Sequence, residues 1–220
     1  MGIEVAQEAQ ARLCAYLELL AKWNEAYNLT SIREPADMVS RHLLDSLAAE
    51  PYLLGERVVD VGSGAGLPGI PLAIARPELS FALVEPQHKK ARFLRHAAHQ
   101  INLSNVEVIC AQVQDYRPAQ KFDTLVSRAF AHVGKLLASA GHLCAGSGRV
   151  LAFKGKYPAA ELEQAGQQGF SVAAVKSIAV PGLNVQRHLV ILSARPSHGP
   201  ERNSQPQSAR TRSGSRGDTA

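Results

Sequence analysis

Four glycines, Gly62, Gly64, Gly66 and Gly69, fall within eight residues in VVDVGSGAGLPGIPLAI (58–74), just after an apolar run that carries one carboxylate, Asp60. Glycine admits positive φ and lets a ligand approach bare backbone, and a helix starting there presents N–H groups at its first turn. One tight turn rarely needs so many, so the stretch reads as a ligand loop. Gly64-Ala65-Gly66-Leu67-Pro68-Gly69 matches the dinucleotide pattern G-x-G-x-x-G, while no Gly-Lys-Ser/Thr ends the loop as a nucleoside-triphosphate site requires. Charge separates the remaining ligands. A diphosphate beside Asp60 would be repelled, whereas a sulfonium or ammonium would be attracted, which favours S-adenosylmethionine over a nicotinamide dinucleotide. Glu85, ending the next apolar run, stands where a carboxylate holds ribose hydroxyls. Both ligands carry that diol, so Glu85 does not choose between them.

Arg128 in VSRAF and Lys154 in LAFKG end later apolar runs, on the rim where open α/β sheets bind ligands. The Arg128 fork suits a phosphate or the O6/N7 edge of guanine. Lys154 reads as an RNA phosphate contact, with a snorkelling edge lysine as its structural alternative. Asn28 in YNLT and the Arg41, His42, Asp45 face of RHLLDS are candidates to line the entrance; His42 and Asp45, three apart, could equally form a structural hydrogen bond. Lys89, Lys90, Arg92, Arg95 and His96 charge one helix, by default as a solvated face and alternatively as a phosphate-tracking patch. His188 reads as a satisfied strand histidine. No cluster has metal-ligand spacing, and no Ser-His-Asp set is recognisable.

The elements that must position these groups follow from periodicity. Leu13, Leu17, Leu20, Trp23 and Tyr27 recur at helical spacing within 4–28, and Pro35 opens a second helix through MVSRHLLDSLAAE. After Pro51 strand-like runs follow at 57–61, 80–84, 106–110, 122–126 and 149–153, with helices between, notably 87–101 and 132–140. That alternation predicts an α/β fold with a parallel sheet and right-handed crossovers. SVAAVKSIAVP and RHLVILSA lack a long helix between them and predict an antiparallel edge hairpin. Three segments are expected: an N-terminal helical extension (1–51), a catalytic domain (52–194) and a disordered Arg/Ser-rich tail (195–220).

The chain has 220 residues and a net charge of +5, of which the tail carries +3, so the body is nearly balanced and charge alone is weak evidence for a nucleic-acid partner. No apolar run is long enough to span a bilayer, the N-terminus lacks a signal pattern, and Met1-Gly2 lacks the Ser or Thr of a myristoylation motif. Cys14, Cys110 and Cys144 are expected as reduced core thiols of a cytoplasmic protein.

KWNEAYNLTSIREP, RHLLDS, VVDVGSGAGLPGIPLAI, KKARFLR, FDTLVSRAFA, LAFKG and RHLV come in one order between Ala21 and Ser193. In these stretches the sequence resembles the bacterial ribosomal RNA small-subunit methyltransferase G family, also called glucose-inhibited division protein B. The resemblance implies a Rossmann-like class I methyltransferase with a mostly parallel seven-stranded sheet, using S-adenosyl-L-methionine to methylate N7 of a guanine in 16S ribosomal RNA. It places cofactor contacts on Gly62, Leu67, Val113, Gln114 and Arg128. Gln114 replaces an acid commoner there, and Glu85 an Asp found in some relatives; a backbone contact would survive the first change, and a longer side chain still reaches the diol. The implied partner is 16S RNA or the small ribosomal subunit, with no membrane, and a monomer is expected. Guanine N7 already holds an in-plane lone pair, so the expected mechanism is positioning without a general base. An NAD-dependent oxidoreductase and a non-catalytic RNA-binding protein with a vestigial loop are the competing readings.

Overall fold

Apolar runs alternating with helical ones after Pro51 dictate layers, and the computed structural model shows them. It describes residues 5–195 apart from Ala129 and Ala131, so the expected tail beyond Arg195 lies outside the described residues, as do residues 1–4. The seven strands are β1 (Arg57–Val61), β2 (Ser80–Val84), β3 (Val106–Ile109), β4 (Phe122–Ser127), β5 (Cys144–Lys154), β6 (Phe170–Ser177) and β7 (His188–Ala194). They form one sheet in the order β3-β2-β1-β4-β5-β7-β6. The first five are parallel, while β7 pairs antiparallel with both β5 and β6. The expected edge hairpin is therefore present, with its second strand inserted next to β5.

Strand order reverses between β1 and β4, and in open α/β sheets the crevice beyond the strand ends at such a switch point is where ligands bind. Ser127 at the end of β4 donates its hydroxyl to Val61 O of β1 at 2.9 Å, tying the two sides of the crevice together. Alternation along the strands sends Val58, Phe81 and Leu83 to one core and Val59, Val61, Ala82 and Val84 to the other.

The first core is covered by α1 (Gln7–Tyr27), α4 (Gly69–Ala75) and α5 (His88–Gln100), the second by α6 (Val133–Ala140) and α7 (Ala159–Ala165). Leu13, Tyr16 and Leu20 of α1 are buried in the same cluster as the β1 and β2 side chains, so the helical extension shares a core with the sheet. Its last turn packs on α5 through Trp23, which lies 5.5 Å from Phe93 and 5.0 Å from His96. Arg92 covers Trp23 and Tyr27 at 5.6 and 5.3 Å. Part of the charged face expected to be solvated thus builds a helix contact.

Three expectations need correction. The second helix is not regular: α2 (Pro35–Met38) passes through a π-helical stretch (Val39–Leu44) into α3 (Asp45–Leu47). Such a stretch adds a residue to the turn, a device frequent at functional sites. β5 begins at Cys144, earlier than expected, because its pairing with β4 shifts register between Phe122 and Thr124. Of the three thiols only Cys144 is a core thiol; Cys14 is exposed and Cys110 half-buried.

Candidate active site

Asp60 lies wholly buried at the end of β1, beneath the glycine loop. Its Oδ2 accepts the Gly69 N–H at 3.0 Å, while Oδ1 has no hydrogen-bond partner. A Cβ at Gly69 would come within 2.7 Å of Oδ2, so only glycine lets this contact form. Burial pushes the Asp60 carboxyl up to about 7, partly opposed by the Gly69 N–H and the Ser63 hydroxyl. Asp60 therefore acts through the loop and does not line its surface, as a direct contact would require.

The loop's N–H groups are largely occupied from within. Gly62 and Ser63 donate to Val84 O, Gly64 to Glu85 Oε2 at 2.8 Å, and Gly66 and Leu67 to Ser63 O. The second Glu85 oxygen accepts the Gln87 N–H at 2.9 Å. A dinucleotide diphosphate needs these donors free. Their internal use argues against that ligand more directly than the charge of Asp60 does, and it corrects the expectation of unpaired N–H groups at the turn.

Two cavities open above this floor. One, of ≈ 180 Å³, is lined by Leu29, Thr30, Arg128 and the loop residues Gly62, Ser63, Gly64, Ala65 and Leu67. The other, of ≈ 360 Å³, is lined by Thr30, Ser31, Ile32, Arg41, His42, Asp45, Arg128, Phe153, Lys154, Gly155 and Arg187. Thr30 and Arg128 border both. The loop cavity has one charged side chain in its wall; the outer one gathers four cations against a single carboxylate. A ligand in the first meets a second ligand at the Thr30–Arg128 seam.

The outer cavity is held by paired charges. Asp45, 3 % exposed, bridges two guanidinium groups. Its Oδ2 lies 3.2 Å from Arg128 Nη1 and its Oδ1 lies 3.2 Å from Arg187 Nε. Arg128 Nη1 also donates to Arg41 O at 3.1 Å. Lys154, expected as an RNA phosphate contact, is nearly buried in the cavity wall, with Nζ 2.7 Å from Glu161. His42 Nε2 lies 3.0 Å from Thr30 Oγ1, and burial with the nearby Arg128 charge pushes the imidazole down to about 4.

Of the expected site residues, Gly62, Gly64 and Leu67 line the loop cavity, Lys154 the outer one and Arg128 both. Gly66 instead packs inward, where a Cβ would meet Ile70 and Leu94 at 2.6 and 2.9 Å. Glu85 sits next to the loop through Gly64. Val113 and Gln114 follow β3; Val113 is buried in the second core beside Val84, and neither lines the two cavities. Asn28 is exposed and ends α1 in the left-handed region, a structural cap. His188 meets Gly155 O and the Tyr157 ring and does not itself line either cavity.

Four residues escaped notice. Tyr16 donates its hydroxyl to Ala65 O in the loop at 2.6 Å, and burial holds its phenol far above the usual range. Asn24 accepts the Thr30 N–H at 2.9 Å and donates to Ile32 O, fixing the segment that carries Thr30. Arg187 is the fourth. Asn24 and Thr30 sit inside the quoted stretch KWNEAYNLTSIREP and Arg187 opens RHLV, the signal available for these three.

A switch-point crevice holding a glycine loop in a seven-stranded sheet that ends in an antiparallel hairpin defines a class I methyltransferase. Solved structures of that class agree: a SAM-dependent methyltransferase from Aquifex aeolicus matches with TM-score 0.57 at 15% identity over 73% of this chain and 94% of its own. One from Thiobacillus denitrificans, in complex with S-adenosyl-L-homocysteine, matches with TM-score 0.52 at 15% identity over 69% of this chain and 90% of its own. Residues 9–190 match the family model described as rRNA small subunit methyltransferase G. Relatives of that name from Nitrosococcus oceani and Shigella flexneri are 49% and 43% identical, covering 89% and 88% of this chain and 91% and 93% of their own. The chain belongs to the rRNA small subunit methyltransferase G family.

Proposed function

We propose that this protein transfers a methyl group from S-adenosyl-L-methionine to N7 of a guanine in 16S ribosomal RNA, with the cofactor in the loop cavity and the RNA in the outer one. The observation that carries the reading is the pair of cavities meeting at Thr30 and Arg128. One wall is neutral loop backbone over a buried carboxylate, and the other is cationic. The family supplies the RNA of the small subunit as substrate class; the guanine and its N7 come from the resemblance in the quoted stretches.

The cofactor supplies an activated methyl on a cationic sulfur. Gly62, Gly64 and Leu67 offer it close backbone approach, with Asp60 and Glu85 as the nearby negative charges. The family resemblance adds backbone contacts at Val113 and Gln114, which lie outside the lining of both cavities. Arg128 is the cation in reach of both a cofactor carboxylate and the guanine edge. The attacking nitrogen has its lone pair in the ring plane and carries no proton, so the protein needs only to hold it in line with the methyl. The titratable groups of the outer cavity suit that role. His42 is neutral above about pH 4, Asp45 is locked between two arginines, and Lys154 is held by Glu161.

With cofactor saturating, single-turnover formation of 7-methylguanosine is expected to be flat between about pH 6 and 9, because no proton moves in the step. A dependence on one ionisation near the histidine range would contradict the base-free mechanism.

A further inference from the structure

Asp45 has one oxygen on each of two arginines that come from distant parts of the chain, Arg128 after β4 and Arg187 just before β7. Arg128 borders both cavities, whereas Arg187 borders only the outer one. The carboxylate is 4 % exposed at its side chain, and the two guanidinium groups are 23% and 27% exposed, so the charge that joins them is buried and the charges they present are not.

Two guanidinium groups this close repel one another, and an ionised carboxylate between them removes that repulsion while fixing both planes. A guanidinium carries five N–H donors. On Arg187 the bonds to Asp45 and to Gln186 O engage Nε and Nη1. Donors remain for an anion in the outer cavity, where Arg41 also lines the wall. Bidentate arginine–phosphate pairing needs the guanidinium oriented before the anion arrives, because the planar fork gains its strength from two parallel bonds. The π-helical stretch Val39–Leu44 leads directly into Asp45, which lines the outer cavity.

We propose that Asp45 is a positioning residue: its carboxylate holds Arg187 oriented to bind an RNA phosphate in the outer cavity, while its other oxygen fixes Arg128 at the seam with the cofactor. This rests on the outer cavity being the RNA side. Asp45 touches neither RNA nor cofactor in this arrangement and works through the two arginines.

The test is a double-mutant cycle on full-length protein, with small-subunit RNA from a strain lacking the protein as substrate. Asp45→Asn removes the charge at nearly constant volume and is expected to raise KM for RNA about tenfold, the loss typical of a charge-assisted contact. Arg187→Gln should raise it similarly while leaving the affinity for S-adenosylhomocysteine, read by calorimetry, unchanged. In the Arg187→Gln background, Asp45→Asn should change KM for RNA by less than about twofold, since its effect passes through the missing side chain. Its effect on cofactor affinity through Arg128 should persist there. A merely structural role would lower thermal stability and move KM by the same factor in both backgrounds, which overturns the proposal, as does an unchanged KM in Asp45→Asn alone. Should Arg187→Gln fail to fold, Arg187→Lys keeps the charge but not the fork and must reproduce the cycle. Wild-type protein that transfers no methyl either to this RNA or to the assembled small subunit refutes the functional reading itself, a result distinct from active enzyme with an additive cycle.

Discussion

Asp60 is the residue whose chemistry changes most between sequence and structure. A strand-end carboxylate facing a ligand would sit near its ordinary range; this one is buried and raised to about 7. Between the ordinary value of 3.8 and about 7, the ligand-free folded protein keeps a proton that the unfolded chain has released. The Asp60 contribution to stability is therefore complete below the lower value and lost as pH rises through the upper one. Cofactor binding has the opposite sign. A sulfonium favours the ionised carboxyl, so affinity for S-adenosylmethionine should rise with pH through about 7, with proton release on binding below it. Asp60→Asn should flatten that profile in calorimetric titrations at pH 6 and 8. An equally steep profile in the variant would place the titrating group elsewhere. Because the bound cation keeps Asp60 ionised, this dependence leaves the saturated transfer step flat.

Arg128 and Lys154 were legible because the end of a parallel strand is a place chain order reveals. Their partners were not. Asp45 and Arg187 are 142 residues apart in sequence, and no local period links them. The fate of the Lys154 charge likewise depended on Glu161 in α7, a helix absent from the sequence reading.

Elements were easier than contacts. Short apolar runs marked the strands, since a strand covered on both faces is buried almost continuously, as β1, β2 and β4 are. The π-helical stretch and the early start of β5 left no pattern, as both are set by tertiary packing. α1 read as an amphipathic extension, but it also supports the ligand loop. Tyr16 reaches Ala65 O across 49 residues. Tyr16→Phe keeps the ring and leaves that carbonyl without its buried donor, a loss of about 1 kcal/mol. The melting temperature should fall by about 2–4 °C, and affinity for S-adenosylhomocysteine should weaken several-fold because the loop loses its brace. Unchanged affinity with a lowered melting temperature would confine α1 to a packing role.

At the scale of the whole molecule, strand order and cavity position follow from one another. The order reversal between β1 and β4 opens the crevice, the glycine loop floors one half, and the helices from Pro35 to Leu47 wall the other together with the end of β5 and Arg187 before β7. The fold class and the loop were readable from the chain; the two-chambered cleft was not, because its walls come from segments that only the folded sheet brings together. Among the described residues no helix is long and apolar enough to cross a membrane, and none of the His, Cys, Asp and Glu side chains group as a metal site.

Transfer of a labelled methyl from S-adenosylmethionine by the purified protein tests the account most directly, with small- and large-subunit RNA from a strain lacking the protein offered side by side, both free and as assembled subunits. Label is expected in the small-subunit RNA alone, as 7-methylguanosine after digestion to nucleosides. Label in another nucleoside, in the large-subunit RNA, or in neither would contradict it.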